Sequence, residues 1–387
     1  MKRRDFARGL GATGLGAMGL GAGGLAALAG APRAARAEIA PLKVVAAPPT
    51  MGWIAGEPRG DIAVAERAWT WAQSPATTLG RSDALLIAQD GKLVFERYGQ
   101  GRGPDVRHIS WSMAKSITHA LAGIAVNTGQ VDIDAPLKTV AHPDPKLTLR
   151  ALLTLTDGLD WDEGSYKPTD SDAARMLYGA GRLDGAAYTA LKRQAYPPGT
   201  RWNYSTGAFQ LAAAELQSRL FPNAIDPRAR RAAMAGWMQA SLFGPLGMTS
   251  ALAEFDAAGA FVGGSLVYAT ARDFTRFGEF YRQDGVWAGR RMLPEGWVTF
   301  ARTPTVQKVY GAGFWLEAPA GHTPPSMMGG QGPLDAYSCQ GHAGQVVLIV
   351  PSKKLVVTRL ALMPDDDPAW VRLGRWLTPI VNAFPDG

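Results

Sequence analysis

Ser112 and Lys115 are the two residues whose types and spacing most directly suggest chemistry. Nowhere else in the chain does a Lys follow a Ser by three positions. Apolar residues continue after them at helical spacing, and positions i and i+3 of a helix share one face. We therefore expect the Lys amine within reach of the Ser hydroxyl. A Ser hydroxyl needs an adjacent base to act as a nucleophile at neutral pH, and a desolvated Lys can be that base.

The same pair also has a purely structural interpretation. Ser-x-x-Lys is a loose pattern, and a Ser at the start of a helix is commonly an N-cap that accepts a backbone N–H. In the catalytic interpretation, the helix N-terminus offers its backbone N–H groups to a developing oxyanion. Two further stretches of the sequence favour the catalytic interpretation.

The first of these stretches contains Tyr204 and Thr206, and it follows a turn at Tyr196-Pro197-Pro198-Gly199-Thr200. An apolar helical pattern begins at Ala208, so Tyr204 lies just before a predicted helix and can point its hydroxyl into a cleft. Beside a Lys ammonium a phenol ionises more readily and can relay a proton. The alternative is a half-buried packing aromatic whose hydroxyl bonds to a backbone carbonyl.

The second stretch is Gln340-Gly341-His342-Ala343-Gly344-Gln345, which precedes an apolar run over 346–350. Glycines beside the start of a strand let a ligand approach the backbone closely. A backbone N–H of an edge strand could then complete an oxyanion hole. An ordinary loop-to-strand junction has the same composition, so this stretch is informative only together with the other two.

Strand patterns lie near both ends of the chain and helical patterns lie between them. The predicted strands are 84–88, 93–97, 345–350 and 355–362, and the predicted helices are 62–72, 149–155, 172–178, 208–220, 228–242 and 369–383. We predict an α+β fold, in which an antiparallel sheet is flanked by terminal helices and a mainly helical region is inserted. The α/β lobe would take residues 60–110 and 255–387, and the helical lobe 111–254.

Residues 1–37 differ in composition from the remainder of the chain. They open with the twin-arginine pattern Lys2-Arg3-Arg4-Asp5-Phe6, continue rich in Gly and Ala, and end in Ala35-Arg36-Ala37, which is typical of a cleavage site. We predict a twin-arginine export signal and a periplasmic or secreted mature protein. Six basic residues and one acidic residue in this segment supply +5 of the net charge of +7.

Residues 38–387 are predicted to form a single catalytic unit. Their near-neutral charge gives no support to a nucleic-acid partner, and no other segment is long and apolar enough to span a bilayer. The chain has one cysteine, Cys339, and so has no internal disulfide. The five His residues lack metal-ligand spacing and no Gly-x-Ser-x-Gly elbow occurs, so we expect no metal, no cofactor and no α/β-hydrolase triad.

Taken together, Ser112-x-x-Lys115, Tyr204-Ser205-Thr206 and His342-Ala343-Gly344 resemble the three motifs of the serine β-lactamase and penicillin-binding-protein superfamily. The resemblance is greatest to its class C and DD-peptidase branch, which includes esterases and 6-aminohexanoate-dimer hydrolases. It extends over most of residues 38–387, through the stretches 152–159, 263–273, 310–315 and 341–345.

The resemblance implies a role for each matching position. Ser112 would be the acylated nucleophile, Lys115 its base, and Tyr204 the group that passes the proton to the leaving group. The backbone N–H groups of Ser112 and Gln345 would form the oxyanion hole. A water molecule would release the acyl group, with Tyr204 or Lys115 as its base.

Two departures from the family motifs bear on the substrate. Thr206 stands where many members carry Asn, so an amide donor is missing. His342-Ala343-Gly344 replaces the frequent Lys-Thr-Gly, which weakens the anchor for a substrate carboxylate. We therefore expect an esterase or amidase that acts on a small-molecule ester, amide or peptide-like substrate rather than an efficient β-lactamase. The alternative is a penicillin-binding-type sensor or binder that is non-catalytic or acylates slowly. Specificity would depend on loops 161–170 and 323–336.

Overall fold

The computed structural model describes residues 52–138, 144, 146–164, 171–364 and 367–387. The predicted export signal and residues 165–170 of the first specificity loop lie outside this set. The helices are α1 Ile62–Ala72, α2 Ala114–Asn127, α3 Leu149–Leu153, α4 Asp172–Tyr178, α5 Gly185–Ala190, α6 Thr206–Leu220, α7 Pro227–Met238, α8 Gly244–Leu246, α9 Ala271–Arg282, α10 Trp297–Arg302 and α11 Asp367–Asn382. The strands are β1 Arg81–Gln89, β2 Lys92–Tyr98, β3 Arg107–Ile109, β4 Leu252–Ala253, β5 Val267–Thr270, β6 Val286–Trp287, β7 Arg290–Arg291, β8 Trp315–Leu316, β9 Tyr337–Gly341, β10 Gln345–Val350 and β11 Leu355–Leu362.

A six-stranded antiparallel sheet joins the two ends of the described chain, in the order β2-β1-β11-β10-β9-β8. Alternate residues of a strand face opposite sides of a sheet, and β1 is apolar on both sides. Leu85 and Ile87 pack in one cluster with α1 and α11, whereas Leu86 packs in the other with α2 and α9. Helices on both faces therefore explain why β1 is an almost continuous apolar run.

The predicted α+β fold class is confirmed, and most of the predicted elements are present. Helix α1, β10 and β11 have the bounds expected from the sequence. Helix α3 ends at Leu153, two residues early, and Leu155 then adopts a left-handed φ of 57°. Helix α7 ends at Met238 and continues as one wider π-helical turn over Gln239–Phe243. Strand β9 was not predicted at all.

Asp157 is a buried carboxyl group beside the turn that follows α3. One of its oxygens accepts a hydrogen bond from the backbone N–H of Leu159 at 3.0 Å, and the other has no hydrogen-bond partner among the described residues. Burial raises the pKa of Asp157 to about 6, against an ordinary value of 3.8. The folded state therefore holds this proton more tightly than the unfolded state does.

Replacement of Asp157 with Asn should remove this pH dependence. The stabilising effect of the proton is complete below pH 4 and is lost as the pH rises through about 6. We expect the free energy of unfolding of the wild type, relative to Asp157→Asn, to fall by roughly 2–3 kcal/mol between pH 4 and pH 8. Urea unfolding of both proteins at pH 4 and at pH 8 measures this change in the free energy of unfolding. Asp134, whose pKa is lowered by a hydrogen bond from Arg150, should give the opposite slope when replaced with Asn. Parallel curves for wild type and Asp157→Asn would contradict the assignment.

Candidate active site

Ser112 lies in a short 3₁₀ turn, Trp111–Met113, that leads directly into α2. No side chain caps the start of either the turn or α2, so Ser112 does not serve as an N-cap. Its hydroxyl oxygen lies instead 3.0 Å from the Nζ atom of Lys115. Trp111, just before it, has a left-handed φ of 45°, and its ring meets that of His342 edge-on at 5.4 Å. The catalytic interpretation of Ser112 and Lys115 is thus compatible with the geometry, and the capping interpretation is not.

Lys115 is almost fully buried, with 1% of its surface exposed. Besides Ser112, its Nζ atom contacts the Thr206 hydroxyl at 2.9 Å and the Gly264 carbonyl at 2.8 Å. The ring of Tyr204 lies beside it, with Nζ 4.9 Å from the ring centroid. The structure therefore brings Ser112, Lys115, Tyr204 and Thr206 together, as the sequence predicted. The Gly264 carbonyl is an additional partner that no side-chain motif could reveal.

Helix α6 fixes the position of Tyr204. The Ser205 hydroxyl accepts a hydrogen bond from the N–H of Ala208 at 2.9 Å and so caps α6, which begins at Thr206. The cap holds Tyr204 just outside the helix. The Tyr204 ring stacks on Trp315 with centroids 5.4 Å apart and meets Tyr310 edge-on at 6.1 Å.

A small crevice, partly open to solvent, contains the Ser112 side chain; we call it the Ser112 crevice. It is lined by Ser112, Tyr204, Trp315, Gln340, Gly341, His342 and Trp370. Three of these residues are large aromatics, and no Lys or Arg is among the lining residues that the structure describes. Trp370 comes from the first turn of α11, and sequence reasoning did not associate it with the site.

The third motif divides between the crevice and the sheet. Gly341 and His342 line the crevice, but Ala343, Gly344 and Gln345 do not. The amide group of Gln345 turns away into the sheet, where it donates to the carbonyl of Ala361 at 2.6 Å and accepts from its N–H at 3.1 Å.

Strand β9, rather than β10, faces Ser112. In the sheet β9 lies outside β10, between it and β8. Gly341 ends β9 against the backbone of Ser110, so close that an added Cβ would lie 2.2 Å from the Ser110 carbonyl oxygen. The backbone that the structure places beside Ser112 in the crevice lining is therefore that of Gly341 and His342, and the oxyanion role expected for Gln345 stays a prediction.

Arg359 supports the turn between β9 and β10 from behind. It is fully buried and donates to the carbonyl of Gly344 at 3.1 Å, to the carbonyl of Leu79 and to the hydroxyl of Ser82. Burial lowers the pKa of Arg359 to about 9. Gly344 itself has a φ of 83°, which favours glycine. These contacts hold His342 at the end of the crevice.

Glu163 is a polar neighbour of the site that sequence reasoning did not identify. It accepts hydrogen bonds from the Nε1 atom of Trp161 at 2.6 Å, from the backbone N–H of Thr206 at 2.8 Å and from the Thr206 hydroxyl. No local pattern signals this contact, because 43 residues separate Glu163 from Thr206.

The part of the chain that the structure describes contains neither a metal-ligand cluster nor a membrane-spanning helix. Within residues 52–138, 144, 146–164, 171–364 and 367–387, no group of three or more His, Cys, Asp or Glu side chains could hold a metal ion. Within the same ranges, no helix is both long enough and apolar enough to cross a bilayer.

Comparison with known proteins places the chain among hydrolases. The 6-aminohexanoate-dimer hydrolase of Paenarthrobacter ureafaciens is 23% identical over 303 residues, which are 74% of this chain and 74% of that relative. A solved structure from Bacillus anthracis, assigned by inference as a 6-aminohexanoate-dimer hydrolase, has a TM-score of 0.66 at 17% identity and covers 88% of this chain and 89% of that chain.

A third relative is EstCE1, a hydrolase with promiscuous acyltransferase activity. Its structure has a TM-score of 0.58 at 16% identity and covers 84% of this chain and 98% of that chain. At such identities the solved structures show the shared fold. The family model described as Beta-lactamase matches residues 76–365, well over half of the sequence. The chain therefore belongs to the Beta-lactamase family, and this membership supports a function like that of the family's serine hydrolases.

Proposed function

We propose that the protein is an exported serine hydrolase that forms an acyl-enzyme on Ser112 and cleaves a small ester or amide. The observation that carries this proposal is the 3.0 Å contact between the Ser112 hydroxyl and the buried amine of Lys115. The export step rests on the sequence of residues 1–37.

Acylation begins with the neutral amine of Lys115, which takes the proton of the Ser112 hydroxyl as its oxygen attacks the substrate carbonyl. The carbonyl oxygen becomes an oxyanion, for which we assign two donors, the N–H of Ser112 and the N–H of His342 at the end of β9. The proton on Lys115 passes through the Tyr204 hydroxyl to the leaving alcohol or amine, and the ester of Ser112 remains.

Deacylation uses a water molecule in place of the leaving group. Tyr204 or Lys115 takes a proton from the water, the resulting hydroxide attacks the Ser112 ester, and the Ser112 oxygen leaves with that proton. The acid product departs and the amine is neutral again. Each cycle consumes one water molecule and needs no other reactant.

The Ser112 crevice favours a small acyl group without a carboxylate. Trp315, Tyr204 and Trp370 provide aromatic surface, and the lining residues within the described part of the chain include no permanently charged cation. A β-lactam carries a carboxylate that needs such an anchor. The relatives described above, a 6-aminohexanoate-dimer hydrolase and a hydrolase with acyltransferase activity, support linear amides and esters as the first substrates to test.

A small substrate panel tests this proposal. We expect p-nitrophenyl butyrate and the linear dimer of 6-aminohexanoate to be hydrolysed with a kcat/KM at least about tenfold above that of a cephalosporin or a D-alanyl-D-alanine peptide. Intact-mass spectrometry on the same samples detects the acyl adduct. A long-lived adduct without product would support the sensor alternative, and the absence of any adduct or product would refute a serine hydrolase.

A further inference from the structure

We propose that Glu163 is a positioning residue of the active site: through the Thr206 hydroxyl, it sets the direction of the hydrogen bonds around Lys115. This inference rests on the proposed function, in which Lys115 is the base for Ser112. It assigns a role to a side chain whose described link to Lys115 is the Thr206 hydroxyl.

The first step concerns the Thr206 hydroxyl, which has one hydrogen to donate. A carboxylate accepts hydrogen bonds and cannot donate them. Since the Thr206 hydroxyl contacts the Glu163 carboxylate, its hydrogen points toward Glu163. Its lone pairs are then left for the Nζ atom of Lys115 at 2.9 Å. Lys115 must therefore be the donor in this contact.

The second step concerns the neutral amine of Lys115, which has two N–H bonds and one lone pair. The Gly264 carbonyl at 2.8 Å can only accept, and the Thr206 hydroxyl is an acceptor because of Glu163. These two acceptors can take both N–H bonds of the neutral amine. In that arrangement the lone pair faces the hydrogen of the Ser112 hydroxyl, whose oxygen is 3.0 Å away. This is the arrangement that a general base requires.

Replacement of Glu163 with Gln should reverse the direction of the two hydrogen bonds that the Thr206 hydroxyl makes, with residue 163 and with Lys115. The backbone N–H of Thr206 and the Nε1 of Trp161 both donate to one oxygen of Glu163, so the Gln carbonyl oxygen must occupy that position. The Gln NH₂ group then faces the Thr206 hydroxyl and donates to it. The Thr206 hydroxyl in turn donates to the lone pair of Lys115 and competes with Ser112.

The negative charge of Glu163 adds a second effect with a defined sign. A nearby carboxylate favours the ammonium form of Lys115, and a hydroxyl that donates to the amine favours the neutral form. The acidic limb of the kcat/KM profile reports the deprotonation of the base in the free enzyme. Glu163→Gln should therefore move that limb to lower pH, by roughly 0.5–1 pH unit, while the plateau rate falls roughly 10- to 100-fold.

The experiment measures acylation by a fluorophosphonate, and kcat/KM for a p-nitrophenyl ester, from pH 5 to pH 10 on the full chain. The variants are Glu163→Gln, Thr206→Val and the double variant. Since Glu163 acts through the hydroxyl, Glu163→Gln should slow the Thr206→Val enzyme by less than about twofold. Thr206→Ser, which keeps the hydroxyl, should lower the plateau rate and shift the acidic limb much less than Thr206→Val does.

Glu215→Gln is the matched control. Glu215 is a buried carboxylate on α6, the helix that begins at Thr206. Like Glu163, it accepts a hydrogen bond from a backbone N–H, that of Lys138 at 2.9 Å. Its replacement should lower the melting temperature and leave the acidic limb in place, as expected for a structural role.

An unmoved acidic limb in Glu163→Gln, or additive losses of the plateau rate in the double variant, would overturn the inference. Failure of the proposed function looks different, because the wild type itself would then not be labelled at Ser112. If Glu163→Gln does not fold, the comparison of Thr206→Ser with Thr206→Val decides, and equal rates in those two variants would equally overturn it.

Discussion

Replacement of Ser112 with Ala is expected to abolish the acyl-enzyme and to lower kcat/KM roughly 10⁴-fold or more. The hydroxyl of Ser112 is the nucleophile in the proposed mechanism, and the methyl group of Ala cannot form the ester. Residual activity would come only from binding and from the oxyanion donors. Intact-mass spectrometry after reaction with a fluorophosphonate, together with p-nitrophenyl ester hydrolysis, measures both effects.

Ser116→Ala is the control for this variant. Ser116 lies on α2, four residues after Ser112, is also buried, and donates to the carbonyl of Gly313 at 2.6 Å. Its replacement removes a buried hydrogen bond and should cost about 1 kcal/mol of stability, with labelling at Ser112 unchanged. Normal turnover by Ser112→Ala, or an adduct on another residue, would exclude the proposed nucleophile.

Replacement of Lys115 with Met should lower the acylation rate roughly 10³- to 10⁴-fold, because the side chain keeps its length and loses the amine. The variant should still fold, since a buried charge is costly to desolvate and an apolar side chain of similar volume is often tolerated. Stopped-flow or quenched-flow acylation gives the rate, and far-UV circular dichroism gives the folded state.

Two comparisons define the role of Lys115 more closely. Lys115→Arg keeps a positive charge that cannot be removed near neutral pH, so it should be as inactive as Lys115→Met. Lys192→Met removes another Lys, one that pairs with Asp172 and Tyr188 outside the Ser112 crevice, and should acylate at the wild-type rate. An active Lys115→Arg enzyme would show that the site needs a cation and not a base.

Much of the fold could be predicted because short local patterns in the sequence indicate individual helices and strands. Strands β10 and β11 are apolar runs around a Pro-Ser-Lys-Lys turn, and α1 and α6 have apolar faces at helical spacing with Asp61 and Ser205 as caps. Ser112 and Lys115 could be paired because a single helical turn relates them. In each case the information lies within a few residues.

The remainder of the site depends on contacts between distant segments. Strand β9 is short, and its sequence, Tyr-Ser-Cys-Gln-Gly, has too little alternation to be read as a strand. Without β9, the motif that follows is assigned to the start of β10, and the oxyanion donor expected from the sequence is then Gln345 and not His342. Glu163 and Trp370 reach the site from far along the chain, through packing that no local pattern records.

The pairing of β1 with β11 has a consequence for biosynthesis. The contact Leu85–Arg359 closes a loop of more than 270 residues, and the entropy of closing so long a loop must be overcome before the sheet can form. During translation β1 can pair with β2 first, and its other edge stays open until β11 has left the ribosome. The six-stranded sheet therefore cannot form in a nascent chain that still lacks β11.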